Sequence, residues 1–444
     1  MTRLGWTIDD IAADIGGTVV GNGTTVVNSV STDSRTLVSE ALFVPVVGER
    51  FDGHDFIVGA VEAGASAVVA EPGRTEVTPR IEVPDAAEAL VDIAEKRRGE
   101  LSMPVVAITG STGKTSTKDL IAAGIHGSWA SPKSYNNEVG VPLTVLATPS
   151  DAAALILEVG SRRKGHIRWL GRCIQPDVAV ITNLGMVHLE TFGSEEGLAD
   201  AKYEIIELLG DSGMAVLPND EPRLERNPDI AAIHFGTHGD ADVLASTVSV
   251  DSYGFPIIQV TEGSQSNRVA LSMAGDHQAA NVAAAVATAT ALGLDRRSFI
   301  KNLAGATGSA WRMEVRPGEV TVVNDAYNAN PQSVASALRT VAAMPGRSIA
   351  VLGPMAELGP VCESEHRRMG ELAAELGFGD IIVVGPDHGY ALGASLLVRN
   401  AMTFESARDT LRDALKPGDV VLVKGSRSAG LERLAIQLIK DFPT

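Results

Sequence analysis

The octapeptide TGSTGKTS, residues 109–116, connects the apolar run 104–108 to a helix-like segment at 118–123. This order predicts a buried strand, a glycine-rich turn and the N-terminus of a helix. Backbone N–H groups of such a turn face an anion, and the helix dipole adds partial positive charge. Lys114 can then reach terminal phosphates, and the Thr115 hydroxyl can bind Mg²⁺. We therefore expect a nucleoside triphosphate site rather than a chance turn with a solvated lysine. The predicted phosphate-binding residues are Gly110, Ser111, Thr112, Gly113, Lys114, Thr115 and Ser116.

Size and composition limit the class of protein. A chain of 444 residues suggests about three domains. The formal net charge of −18 argues against a nucleic-acid-binding protein, and two cysteines build neither a disulfide scaffold nor a four-thiolate zinc site. The N-terminus lacks a signal-peptide core, and the longest apolar run, 282–294, is too short for a membrane span. We expect a soluble cytoplasmic protein without membrane insertion.

Apolar runs and helix-like segments alternate along the chain, which predicts an α/β fold of three domains. We expect a small N-terminal α/β domain at 1–102, a central P-loop domain with a parallel sheet at 103–311, and a Rossmann-like domain at 312–444. A charged helix end and linker are expected at 95–100. In the central domain we expect helices at 117–126, 195–209 and 277–292 and an antiparallel part at 240–273. Strands of the last domain are predicted at 320–323, 349–352, 381–384 and 420–423.

Polar residues follow two strands next to the predicted phosphate site. Glu158 ends the apolar strand 155–157, and ligands bind beyond the carboxyl ends of parallel strands. A carboxylate there can hold Mg²⁺, although an ordinary exposed or helix-capping glutamate is the alternative. His188 follows the next strand, 178–181. It is a candidate ligand of a second cation, or else a hydrogen-bonding surface residue.

Lys202 lies on the apolar stripe of a predicted amphipathic helix. Desolvation lowers the pKa of a lysine and leaves a nucleophilic neutral amine. Such an amine favours a carbamate with CO₂, an anion able to bind Mg²⁺. A lysine that extends from the edge of the stripe into water is an equal alternative.

Two further segments carry candidate ligand-binding residues. His277 and Asn281 share one face of a predicted helix, where they meet an adenine edge or cap and pack the helix. The polar loop 325–331 follows a strand of the last predicted domain, as ligand loops do.

Together these features resemble the Mur ligase family over essentially the whole chain. The segments that carry the resemblance are 33–35, 42–44, 48–54, 110–116, 135–142, 180–190, 192–194, 201–202, 325–331, 353–359 and 423–427. Within the family, YNNE at 135–138 and NANP at 328–331 resemble the members that add D-alanyl-D-alanine to the UDP-N-acetylmuramoyl tripeptide.

The resemblance implies an ATP-dependent amide ligase of peptidoglycan precursor synthesis that is a monomer and uses two Mg²⁺ ions. It implies catalytic roles for Lys114, Glu158, His188, Lys202 and Arg312. Thr115 and Glu158 would hold one Mg²⁺, and His188 and carbamoylated Lys202 the other. ATP would also contact His277, Asn281, Arg312 and Asp325. Substrate-binding residues would be Ser34, Arg35, Asn136, Asn137, Tyr327, Asn328, Asn330, Lys424 and Ser426.

Two other functions remain open at this point. One is another amide ligase of the same superfamily, of the diaminopimelate- or lysine-adding type or the folylpolyglutamate type. The other is a P-loop switch protein without ligation chemistry, which the set Glu158, His188 and Lys202 disfavours.

Overall fold

The computed structural model describes residues 3–48, 51–132, 134–185, 192–394 and 397–443. Its three main sheets follow one another along the chain, so the predicted α/β organisation is confirmed. Among the described helices, none combines the length and apolar character that a membrane span needs.

The N-terminal part has a five-stranded sheet of order β2-β7-β6-β5-β4 and a small β1–β3 ladder. Its elements are β1 (Trp6–Thr7), α1 (Ile8–Ile15), β2 (Thr18–Val20), β3 (Val26–Val27), β4 (Ser29–Ser31), β5 (Ala41–Phe43), α2 (Ile57–Glu62), β6 (Ala65–Ala70), β7 (Arg80–Glu82) and α3 (Ala86–Glu100).

The prediction of a linker at 95–100 is wrong. Helix α3 continues to Glu100, and its last turns contact the central part of the chain. The buried Arg97 donates from Nη2 to the Thr148 carbonyl at 2.7 Å. Arg98 donates to the carbonyls of Ile174 and Gln175. A continuous hydrophobic core runs from the N-terminal sheet under α3 to the central sheet. The segment at 95–100 therefore fastens two sheets together.

The central sheet has nine strands in the order β16-β15-β14-β13-β12-β11-β8-β10-β9. The strands are β8 (Val105–Thr109), β9 (Trp129–Ala130), β10 (Leu155–Glu158), β11 (Val178–Ile181), β12 (Met214–Pro218), β13 (Ala232–Gly236), β14 (Val243–Val250), β15 (Pro256–Glu262) and β16 (Gln265–Ala270). The helices are α4 (Lys114–Gly124), α5 (Gly140–Leu146), α6 (His166–Ile174), α7 (Glu195–Tyr203), α8 (Gln278–Ala291) and α9 (Arg296–Leu303). Strands β14–β16 pair antiparallel, as expected for 240–273. The predicted helix 195–209 is shorter, because α7 ends at Tyr203 and a 3₁₀ turn follows at Ile206–Leu208.

The C-terminal sheet has the order β17-β18-β22-β19-β20-β21 and is parallel except for β17. Its strands are β17 (Glu314–Arg316), β18 (Thr321–Asp325), β19 (Ser348–Leu352), β20 (Asp380–Val384), β21 (Val398–Ala401) and β22 (Val420–Lys424). Its helices are α10 (Pro331–Ala342), α11 (Cys362–Glu375), α12 (Tyr390–Ala394), α13 (Phe404–Ala414) and α14 (Glu432–Asp441). The carboxyl ends of β18, β19 and β22 face those of β8 and β10 across a cleft.

Candidate functional site

A cleft of about 1630 Å³ lies where the three sheets meet. The central part contributes the glycine-rich loop, segment 134–140 and residues 276–281. The C-terminal part contributes 325–337, 356–358 and 424–428, and the N-terminal part contributes Thr32 and Asp33. A reaction that needs several substrates in one place fits this arrangement.

The glycine-rich loop depends on two glycines in conformations that other residues rarely adopt. Gly110 has φ +141° and Gly113 has φ +79°. A Cβ on Gly113 would lie 2.5 Å from Asn281 Oδ1, and one on Gly110 would overlap Thr182 Oγ1. Both positions therefore require glycine for backbone geometry and for space.

Residues after β11 hold the loop in shape. The Asn183 amide accepts from the Thr112 N–H at 2.9 Å and donates to the Thr112 hydroxyl. Ser111 Oγ accepts from the Gly185 N–H at 2.9 Å. The residues that follow the neighbouring strand thus hold the glycine-rich turn in one conformation. Asn183 supports the glycine-rich loop, a role that the sequence analysis did not assign, although its place after an apolar strand is a usable signal.

Lys114 begins α4 and folds back over the loop. Its Nζ donates to the carbonyls of Gly110 at 2.6 Å and Ser111 at 3.2 Å. The pKa of Lys114 is lowered to about 8, chiefly by burial; the Glu158 charge raises this pKa and the Arg312 charge lowers it. Anionic phosphate would favour the charged form and replace the carbonyls as its partner.

Glu158 and Thr115 form a buried oxygen pair at the end of β10. The Thr115 hydroxyl donates to Glu158 Oε2 at 2.7 Å, and Asn136 Nδ2 donates to Oε1 at 2.7 Å. Glu158 has no exposed surface. A hydroxyl and a carboxylate are ligands that suit Mg²⁺, so these residues fit the expected ion. Within the described ranges, no three His, Cys, Asp or Glu side chains converge on one point.

Lys202 lies deep in the cleft wall and does not extend into water. The residue is 2% exposed, and its Nζ donates to Ser161 Oγ at 2.9 Å. Burial holds the pKa of Lys202 well below its ordinary value, and the charge of Lys114 acts in the same direction. The structure thus favours the desolvated amine over the solvated alternative. His188, the other expected ligand of the second ion, lies outside the described residues.

Arg312 lies on the linker from the central to the C-terminal sheet. Its Nη2 donates to Ser134 Oγ at 3.0 Å, and its guanidinium lies 4.1 Å from the Tyr327 ring centroid. Among the described residues, its buried Nε has no hydrogen-bond partner. The linker residues on either side, Trp311 and Met313, have positive φ. The unpaired Nε–H of Arg312, held on a strained backbone segment close to Lys114, is suited to donate a hydrogen bond to a phosphate group.

His277 and Asn281 both line the cleft but contact different parts of the structure. Asn281 Nδ2 donates to Gln278 Oε1, and Asn281 Oδ1 lies beside Gly113. His277 Nδ1 lies 2.9 Å from Ser336 Oγ of α10, and burial lowers the pKa of His277. Asn281 therefore supports the glycine-rich loop, and His277 connects the central part to the C-terminal part.

The predicted ligand loop after β18 is anchored by an ion pair. Lys424 Nζ donates to the Asp325 carboxylate and, at 3.0 Å, to the Asn328 carbonyl. Asp325 Oδ1 accepts from the Met313 N–H, so the pair also fastens the linker. The Asn328 side chain is exposed and free to meet a ligand.

Three predicted substrate-binding side chains hold backbone groups. Asn330 Oδ1 caps α10 by accepting from the Ser333 N–H, and Asn137 Oδ1 accepts from the Gly140 N–H. Ser426 Oγ accepts from the Ala356 N–H at 2.8 Å. These residues shape the cleft whether or not they also touch a substrate.

Ser34 and Arg35 do not line the cleft. Their neighbours Thr32 and Asp33 do, and Arg35 pairs with Asp33 while remaining 84% exposed at its side chain. Within this segment, Asp33 is therefore better placed than Ser34 or Arg35 to contact a ligand in the cleft.

Comparisons with known proteins match the whole architecture. The family model "Mur ligase family, catalytic domain" matches residues 26–98, "Mur ligase middle domain" 108–289, and "Mur ligase, glutamate ligase domain" 311–427. The UDP-N-acetylmuramoyl-tripeptide–D-alanyl-D-alanine ligase of Bacillus subtilis is 33% identical over 98% of both chains. MurF from Acinetobacter baumannii has a TM-score of 0.89 at 28% identity, covering 99% of this chain and 100% of that one. The MurF ligase of Thermotoga maritima in complex with ADP has a TM-score of 0.81 at 30% identity, covering 93% and 97%.

Proposed function

This chain belongs to the Mur ligase family, and we propose that it joins D-alanyl-D-alanine to the UDP-N-acetylmuramoyl tripeptide with consumption of ATP. The full-length relative from Bacillus subtilis carries that activity in its name, and this observation supports the proposal most directly. The cleft between three α/β sheets has room for a nucleotide, a peptide acceptor and an incoming amine.

The chemistry requires activation of a carboxylate, because oxide is a very poor leaving group. The γ-phosphoryl group of ATP passes to the peptide carboxylate, which gives an acyl phosphate and ADP. The dipeptide amine then attacks the acyl carbon and loses a proton, and phosphate leaves as the amide forms. Exclusion of water protects the acyl phosphate from hydrolysis.

The chain's own residues hold the phosphates in place. Backbone N–H groups of the glycine-rich loop and the Lys114 ammonium bind the terminal phosphates. Arg312 approaches the same charge from the linker. The Thermotoga relative was solved in complex with ADP, which supports nucleotide binding by this chain.

Thr115 and Glu158 would hold one Mg²⁺ ion, and His188 with Lys202 a second. Bound Mg²⁺ supplies neutralisation of charge on the phosphates and on the developing oxyanion. Glu158 is kept in position for this by Asn136.

We infer that Lys202 reacts with CO₂, losing one proton, to form a carbamate. Its burial, its lowered pKa and the nearby Lys114 charge all favour the neutral amine that this reaction needs. The product is an anion close to a cationic side chain, which the same surroundings stabilise.

The remaining assignments rest on the resemblance. We propose domains at 1–102, 103–311 and 312–444, with the UDP-muramoyl substrate near Ser34, Arg35, Asn136 and Asn137, and the dipeptide near Tyr327, Asn328, Asn330, Lys424 and Ser426. His277, Asn281 and Asp325 would serve the nucleotide. We also propose a cytoplasmic monomer, which light scattering tests against the 46.3 kDa chain mass.

Phosphate release with UDP-muramoyl tripeptide, measured with and without D-alanyl-D-alanine, tests the proposed reaction. We expect release that depends on the dipeptide, with its C-terminal amide and free lysine or diaminopimelate as much poorer acceptors. Faster ligation of a diamino acid to a UDP-muramoyl dipeptide would instead identify another ligase of the superfamily. ATP turnover independent of any amine would favour a switch protein.

A further inference from the structure

A loop on the C-terminal side of the cleft is held by side chains from three other segments. The loop, residues 353–358, follows β19, and Ala356, Glu357 and Leu358 line the cleft. The Tyr390 hydroxyl donates to the Gly353 carbonyl at 3.0 Å, and Ser426 Oγ accepts from the Ala356 N–H. The Met355 N–H donates to His366 Nε2 at 2.9 Å.

The conformation of this loop needs such support. Glu357 has φ +62°, in the left-handed region that a non-glycine residue adopts at a cost. A strained residue on a cleft wall persists only where surrounding contacts hold it. His366 provides one of these contacts from α11 without lining the cleft itself.

The partners of His366 define its protonation state. Nε2 accepts from a backbone N–H, so it carries no proton, and Nδ1 lies 2.7 Å from the Cys362 carbonyl, which only accepts. The buried imidazole is therefore neutral with its proton on Nδ1.

The surroundings of His366 oppose its protonation overall. Burial lowers its pKa and His388 acts in the same direction, while the Cys362 carbonyl, Asp387 and Glu365 oppose this. The Tyr390 ring packs edge-on against the imidazole, 4.9 Å between centroids, and the Cys362 thiol lies 3.6 Å from Nδ1.

We propose that His366 is a positioning residue for the incoming dipeptide: its neutral imidazole holds the 353–358 loop, and its protonation releases that loop. The proposal rests on the proposed function, because it takes the C-terminal wall of the cleft as the dipeptide side. An imidazolium would point an N–H at the Met355 N–H, so a buried donor would lose its acceptor. The loop would then leave the conformation that binds the dipeptide.

Two amide variants distinguish the roles of the two ring nitrogens of His366. His366→Gln can present an oxygen near the Nε2 position, which restores an acceptor that does not titrate. His366→Asn reaches only the Nδ1 position and leaves the Met355 N–H without a partner. Arg367→Gln, on the exposed side of the same helix, is the matched control.

We expect His366→Asn to raise the dipeptide KM about tenfold near pH 8, with little change in the ATP KM. His366→Gln and Arg367→Gln should stay close to wild type. The ratio of wild-type to His366→Gln dipeptide KM should rise only at pH values below the ordinary histidine pKa of about 6.5, because burial lowers the pKa of His366. Protonation of the dipeptide affects both proteins equally and cancels in this ratio. An unchanged KM in His366→Asn, equal shifts in both substrates, or a pH-independent ratio would overturn the proposal. If His366→Asn does not fold, the pH dependence of the ratio of wild-type to His366→Gln dipeptide KM decides the test by itself.

Hydrogen exchange of segment 353–358 separates this proposal from the proposed function. If wild type releases no phosphate with the dipeptide, the proposed function fails, but exchange in His366→Asn should still be faster than in wild type and His366→Gln. Equal protection in all three proteins would refute the role of His366 itself.

Discussion

Replacement of Lys424 by methionine tests whether its ammonium serves the fold or a substrate. Lys424 is 2% exposed, and its Nζ contacts the Asp325 carboxylate and the Asn328 carbonyl. Asp325 and Lys424 face each other in register on the paired strands β18 and β22. Methionine keeps most of the apolar stem and removes the charge, so the Asp325 carboxylate stays buried without its cation.

The expected loss follows from that uncompensated charge. Removal of one partner from a buried ion pair costs about 3–5 kcal/mol, because the remaining charge cannot return to water. The C-terminal sheet and its helices should therefore unfold at least about 10 °C lower. The double variant Asp325→Asn/Lys424→Met carries neither charge and should recover much of this loss.

Thermal and urea unfolding of the ligand-free protein measure the effect, with Lys424→Met, Asp325→Asn and the double variant forming a cycle. Lys416→Met, on the exposed loop before β22, should change the free energy of unfolding by no more than about 0.5 kcal/mol. A Lys424→Met protein with wild-type stability and a raised dipeptide KM would refute the structural reasoning. That result would assign the ammonium to the substrate carboxylate.

Glu158→Gln should lower kcat about 100- to 1000-fold in the phosphate-release assay, while exposed Glu207→Gln should not; near-normal turnover would exclude Glu158 from the metal site. Lys202→Ala should be nearly inactive and regain activity with added short carboxylic acids, and full activity without additives would contradict the carbamate. ADP binding by wild type should weaken as the pH rises through about 8, because the ligand-free Lys114 ammonium loses its proton there. Lys114→Met should bind more weakly with no such dependence, and calorimetry at several pH values compares the two.

The fold was predictable where the sequence pattern was local and strong. Long apolar runs such as those of β8, β19 and β22 are buried on both faces of parallel sheets, so they stand out as strands. Short elements such as β9 at Trp129–Ala130 gave no such signal. Helix α7 ended earlier than its apolar stripe suggested, since tertiary packing and not periodicity decides where a helix stops.

The glycine-rich loop was determined by the sequence alone, because its function resides in contiguous backbone N–H groups and one lysine. The partners that give other residues their roles come from distant parts of the chain. Asn183 hydrogen-bonds to Thr112, 71 residues away in the sequence, and Ser161 accepts a hydrogen bond from Lys202, 41 residues away. Sequence spacing predicted that Lys202 lies on the apolar face of its helix. Only the packing of that helix against the α6 side of the cleft decided that the Lys202 amine is desolvated. Burial and long-range hydrogen bonds depend on which elements pack together, and no local pattern encodes that choice.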